Sequence, residues 1–152
     1  MVVADGCDAG GNGDDNNETL AAVIQWDKYP NFTEAEFACH GDNCCGGKAD
    51  MDPAFVSIIQ QLRDSIGRGI AISSGYRCPE HNNRVSSTGL TGPHTTGKAA
   101  DLLVSKGTAF IIVKTALLWG IKGLGVSQKG DVSKRFIHLD MVDRDPPTIW
   151  SY

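Results

Sequence analysis

The chain has 152 residues, the length of a single domain, with 41% hydrophobic residues, enough to build a core. Its formal net charge is -4, from 14 Lys and Arg against 18 Asp and Glu, which excludes the basic excess of a nucleic-acid-binding protein. The longest apolar runs, Leu20 to Ile24 and Ala109 to Val113, are far shorter than the ~20 residues of a membrane-spanning helix.

The acids are unevenly placed. Asp5, Asp8, Asp14, Asp15 and Glu18 lie in the first eighteen residues with no base among them, so the remainder is close to neutral. Residues 1–17 are rich in Gly, Asn and Asp and offer almost nothing to bury, which predicts a disordered acidic tail. Residues 1–27 are read as this tail with a short apolar lead-in from Glu18 to Trp26, a candidate helix, and 28–152 as one folded domain. The N-terminus lacks the basic, apolar, small-residue order of a secretory signal. The expectation is a protein made without a signal or one numbered after its removal.

Asp52-Pro53 is a helix start, with an Asp cap and Pro at the first helical position. Phe55, Ile58, Ile59, Leu62 and Ile66 share a face, and Gly67 ends the helix. Ile70 to Ser73 reads as a strand running into a Ser-Gly turn, Pro79 to Val85 as a short helix, and Ser86 to Pro93 as a loop. Ala99 to Val104 is a strand. Thr108 to Trp119 is a second long helix, with Phe110, Val113 and Leu117 on one face and Gly120 closing it. Gly123 to Val126 and Phe136 to Met141 are strands joined through a polar turn from Gln128 to Lys134. Two long helices among short strands predict an α+β fold, a small antiparallel sheet flanked by helices.

Chemistry concentrates in two segments. In His94-Thr-Thr-Gly-Lys-Ala-Ala-Asp101, an Asp sits within an apolar strand, where burial is costly unless backbone N–H groups or a metal satisfy it. In Phe136-Ile-His-Leu-Asp-Met141, alternation puts His138 and Asp140 on one face and Ile137, Leu139 and Met141 on the other. The polar face points to a cleft or to solvent. His94, Asp101 and His138 form a two-His, one-carboxylate set, and three protein ligands with an open fourth position suit one catalytic zinc ion.

Three motifs in order, Ser74-Gly-Tyr-Arg77-Cys-Pro, His94-x6-Asp101 and Phe136-Ile-His138-Leu-Asp140, make the chain resemble the zinc D-Ala-D-Ala peptidases. That family includes bacterial carboxypeptidases and phage endolysins and shares the hedgehog/DD-peptidase fold. The opening Phe32-Thr-Glu-Ala-Glu-Phe-Ala-Cys39 is similar to one of its branches, so the likeness runs from about Phe32 to Tyr152. The resemblance implies zinc on His94, Asp101 and His138, and a substrate carboxylate on the planar fork of Arg77. The alternative for Arg77 is a salt bridge that fixes the turn.

Two positions depart from the family. Many members carry an acid three residues before the second His, where this chain has Arg135, which takes no proton from water. Asp140 is the candidate general base, or else the partner that orients a zinc-bound His138; Asp131 is the next nearest acid. Members often carry Ser at the position of Gly92.

The segment Cys39-His40-x3-Cys44-Cys45, with Cys78, is open to a second zinc, to a disulfide or to free thiols, and His81 is expected to be solvated. The functional expectation is a monomeric hydrolase of bacterial peptidoglycan peptides, carboxypeptidase or endopeptidase. It would act at the wall as a released phage lysin or virion-associated enzyme, or as the mature form of an exported one. The alternatives are a zinc-containing wall-binding module without catalysis and a virion structural component.

Overall fold

The computed structural model describes residues 23–152. The acidic tail and most of the lead-in lie outside the described residues. Four helices, α1 (Glu34–Phe37), α2 (Pro53–Ile66), α3 (Pro79–Val85) and α4 (Lys106–Leu118), accompany five strands: β1 (Ala71–Ser74), β2 (Ala99–Leu103), β3 (Gly123–Ser127), β4 (Phe136–Asp140) and β5 (Thr148–Ser151). The strands form one sheet in the order β1-β2-β4-β3-β5. Every pairing is antiparallel except that of β5, which lies parallel to β3 at the edge. The fold is α+β, as the pattern of elements predicts. No described helix is long and apolar enough to cross a membrane.

Local chemistry sets the element ends. The Asp52 carboxylate accepts from the backbone N–H groups of Ala54 and Phe55, and Gly67 takes the left-handed conformation (φ 67°) that closes α2. Phe55, Val56, Ile59 and Leu62 are buried from α2, and the helix packs on α4. The sheet has two distinct faces. Leu102, Leu124, Ile137 and Leu139 point to the helices and are buried in the core. Asp101, His138 and Asp140 take the other face by the two-residue period of the strands.

The face that α4 buries differs from the one its periodicity suggested. Ala109, Ile112 and Ala116 are buried, whereas Phe110 is 71% exposed and Leu117 60% exposed. Residues 109–113 are apolar without a break, so the helical period defines no single face. Small Ala109 and Ala116 let the helix lie close to the sheet and to α2, a contact that Phe110 and Leu117 are too large to make.

This packing gives an asymmetric expectation. Ile112→Ala should cost about 2–5 kcal/mol in urea unfolding, and Phe110→Ala no more than about 0.5 kcal/mol. The reverse ranking would restore the original face assignment.

Candidate metal centre and cleft

The β2–β4 register pairs Asp101 directly with His138 and Ala99 with Asp140. His94 comes from a short 3-10 turn, Pro93–Thr96, and its ring meets both. The three side chains are all buried. His94 Nε2 lies 3.2 Å from His138 Nδ1 and 3.4 Å from Asp101 Oδ1, and His138 Nδ1 lies 2.8 Å from the same oxygen. The sequence-predicted trio is therefore one cluster.

The outer partners fix which atoms face inward. His94 Nδ1 is 2.6 Å from the Gly75 carbonyl, which only accepts, so Nδ1 carries the proton and Nε2 is bare in the neutral ring. On the other ring both nitrogens meet carboxylates, Nδ1 at 2.8 Å from Asp101 Oδ1 and Nε2 at 3.0 Å from Asp140 Oδ2; the neutral tautomer with its proton on Nε2 toward Asp140 leaves the Nδ1 lone pair free for a metal. In that tautomer two ring lone pairs and a carboxylate oxygen converge. Such a triangle of acceptors needs a cation at its centre. Tetrahedral zinc with bonds of about 2.0–2.1 Å would hold its ligand atoms about 3.3–3.4 Å apart, close to two of the three separations. The donor set fits zinc.

The electrostatics agree. Burial pushes the Asp101 carboxyl up, but hydrogen bonds from His138 and His94 outweigh it and hold its pKa well below the usual carboxylate range. Burial pushes His138 down, and its bonds to Asp101 and Asp140 outweigh that and raise it. Without a metal, a proton on His138 is the cation this site would gather.

Arg77 holds the far side of Asp101. Its Nη2 donates to Asp101 Oδ2 at 2.9 Å and its Nε to Ser74 Oγ at 2.8 Å. Nη1 has no hydrogen-bond partner among the described residues, and Arg77 lines a cleft of about 780 Å³ together with His94, Asp101 and His138. Both sequence readings of Arg77 are therefore compatible with one geometry, since the salt bridge occupies only part of the fork.

Asp140 is fully buried. Besides His138, it accepts from Arg144 Nη2 at 2.7 and 2.9 Å and from the Val142 N–H at 3.1 Å. Its carboxylate meets the ring nitrogen opposite the one that faces Asp101. Asp131 is exposed and caps a 3-10 turn through Ser133, away from the cleft lining. Arg135 turns its guanidinium onto the Gly130 carbonyl at 2.9 and 3.2 Å and does not line the cleft.

Sequence reasoning missed several parts of this site. Arg144 follows Asp140 by four residues outside any helix, so spacing gave it no direction. Trp150 and Tyr152 wall the cleft from β5 and the residue after it; Trp150 packs on His138 with centroids 5.2 Å apart and lies under Arg144 at 5.6 Å. Two glycines of β3 make room on this face. A side chain at Gly123 would meet the Asp140 carboxylate, and one at Gly125 would meet Trp150 and Tyr152. At Gly92, the family's Ser would have no space, because Thr88 Oγ1 and Asn82 Nδ2 occupy it. Buried Asn82 donates to Thr88 and to the Gly89 carbonyl, and so shapes the loop wall.

His81 also departs from expectation. It is half-buried, with Nδ1 3.2 Å from Cys39 Sγ, because the loop after α1 folds back over the start of α3.

Comparison with known proteins adds the last piece. No curated protein matches the chain. The family model for peptidase M15 matches residues 30–140, a span that contains Arg77 and all three residues of the His-Asp-His cluster. With a match over most of its length, the chain belongs to the peptidase M15 family of metallopeptidases.

Proposed function

We propose that this protein is a zinc peptidase that hydrolyses the stem peptides or cross-links of bacterial peptidoglycan. The observation that carries the reading is the convergence of three potential ligand atoms, His94 Nε2, Asp101 Oδ1 and His138 Nδ1, at a cleft that also presents a guanidinium edge. Zinc held there supplies polarisation of the scissile carbonyl and a water whose pKa falls toward neutral.

The surrounding side chains divide the remaining work. The Nη2 of Arg77 holds Asp101 Oδ2, which leaves Oδ1 directed at the metal position, while Nη1 receives a carboxylate of the peptide. Such a carboxylate is present in a terminal D-Ala and beside an internal D-centre cross-link. Trp150 and Tyr152 bound the cleft and exclude water from one side. Asp140 keeps the proton on His138 Nε2 and thereby the lone pair on Nδ1. In this reading, Asp140 is a positioning residue rather than the proton acceptor, because the imidazole stands between it and the metal position. The protein works as a monomer at the cell wall.

A second reading rests on a specific observation: Asp101 carries the sole side-chain carboxylate among the described residues lining the cleft, and Arg135 stands where many relatives carry an acid. A chain of this kind could bind wall peptide without cutting it. Digestion of purified peptidoglycan by the zinc-loaded protein, followed by muropeptide mass spectrometry, decides between the two. New peptide termini, lost with zinc in His94→Ala, are expected; retention on the wall with no new termini would establish the binding module.

Asp140→Asn separates orientation from proton transfer. Orientation predicts zinc affinity weakened about 10–100-fold with turnover recovered at saturating zinc. A loss of about 10²–10⁴ in kcat with zinc still bound would make Asp140 the base after all.

For Arg77, the informative substrate pair is a peptide with a free terminal carboxylate and its amide. Wild type should prefer the carboxylate by about 10–100-fold in kcat/KM, the worth of a charged hydrogen bond. Arg77→Lys should shrink that preference. An unchanged preference would assign Arg77 to holding Asp101 alone.

A further inference from the structure

The loop after α1 and the start of α3 bring four cysteines together outside the cleft. Cys39, Cys44, Cys45 and Cys78 place their sulfur atoms within 4.8 Å of one another, and all four are free thiols. We propose that these cysteines bind a second zinc ion in a closed, structural site of four thiolates, distinct from the His94-Asp101-His138 centre.

The spacing carries the assignment. A zinc ion with four sulfur ligands at about 2.3 Å would hold them about 3.8 Å apart. Cys39 and Cys44 are 3.9 Å apart, as are Cys44 and Cys45. Tetrahedral all-sulfur donors select zinc among the redox-inert cations. The site offers no open coordination position, as a structural ion requires, and none of its four ligands lines the cleft.

Backbone N–H groups point at two of the sulfurs. The Cys78 N–H points at Cys39 Sγ at 3.4 Å, and the His81 N–H at Cys78 Sγ at 3.4 Å. The His81 ring adds Nδ1 at 3.2 Å from Cys39 Sγ. The two backbone N–H donors face sulfur from outside the cluster, the arrangement that orients and tunes metal ligands. Gly41 is required by the same packing: a Cβ there would lie 2.7 Å from both Cys44 Sγ and the His81 ring. The loop turns through left-handed Asn43 (φ 50°), Gly46 and Gly47. A loop of this composition has little apolar surface with which to hold its shape, and a bound ion would supply that.

The site also bears on the cleft. Cys78 directly follows Arg77, and the Tyr76 N–H donates to the Phe37 carbonyl at 2.8 Å. An ion on Cys78 would tie the loop from α1 to the turn that presents Arg77.

Elemental analysis of the full chain, purified with reductant from zinc-supplemented cells, tests the proposal. The wild type should carry about two zinc ions per chain and the double variant His94→Ala/His138→Ala about one. Cys78→Ser and the partly exposed Cys45→Ser should each lose one ion and keep the other. Alkylation mapped by peptide mass spectrometry on the wild type covers the case in which those variants fail to fold. Cys39, Cys44, Cys45 and Cys78 should be protected until a chelator is added. The proposal is overturned by a single zinc that vanishes in the histidine double variant, by alkylation indifferent to chelator, by a disulfide among the four, or by iron in place of zinc.

Discussion

The pairing of β2 with β4 is the constraint on which the rest of the site depends. It sets Asp101 opposite His138, and both strands are pinned from the far side by Leu102, Ile137 and Leu139 in the core. A slip of one residue would turn those three leucine and isoleucine side chains to the cleft and the His and Asp side chains into the core. The apolar face thus enforces the polar one. Burial that looks like ordinary core packing is what keeps the acceptors within bonding distance of a shared point.

Holding like partial charges together has to be offset from outside the triangle. The Gly75 carbonyl, Asp140 and Arg77 each engage the outward side of one member, and Arg144 in turn neutralises Asp140. The result is a chain of polar contacts that closes on the His94-Asp101-His138 cluster. No buried side-chain nitrogen or oxygen among the described residues lacks a hydrogen-bond partner. The polar network is therefore complete, and a cation at its centre would replace the contacts that His94, Asp101 and His138 make with one another.

What was legible in the sequence follows from this layering. Strand alternation alone put His138 and Asp140 on one face, and an acid amid Ala and Leu marked Asp101 as paired or ligating. The caps of α2 were explicit at Asp52, Pro53 and Gly67. Other features have no local signature. The buried side of α4 is decided by how closely a small residue can approach the sheet, which an unbroken apolar run does not encode. β5 is four residues after two prolines, and its parallel pairing with β3 is wholly non-local, so Trp150 and Arg144 entered the site unannounced. His81 reads as a surface residue until the Cys39 loop folds over it. The direction in which Asp140 acts could not be read from the strand either. Side-chain alternation says that it shares a face with His138, but not which ring nitrogen it meets.

The members of the metal triangle are far apart along the chain. Asp101 and His138 are 37 residues apart, and His94 and His138 are 44. An unfolded chain offers no such site, so an ion that binds there binds the native state alone. Its concentration then enters the folding equilibrium directly. At free metal a hundred times the dissociation constant, the native state gains about 2.7 kcal/mol, a large share of the 5–15 kcal/mol that typically holds a domain together. Zinc supply would thus govern how long the molecule survives as well as whether its cleft is armed.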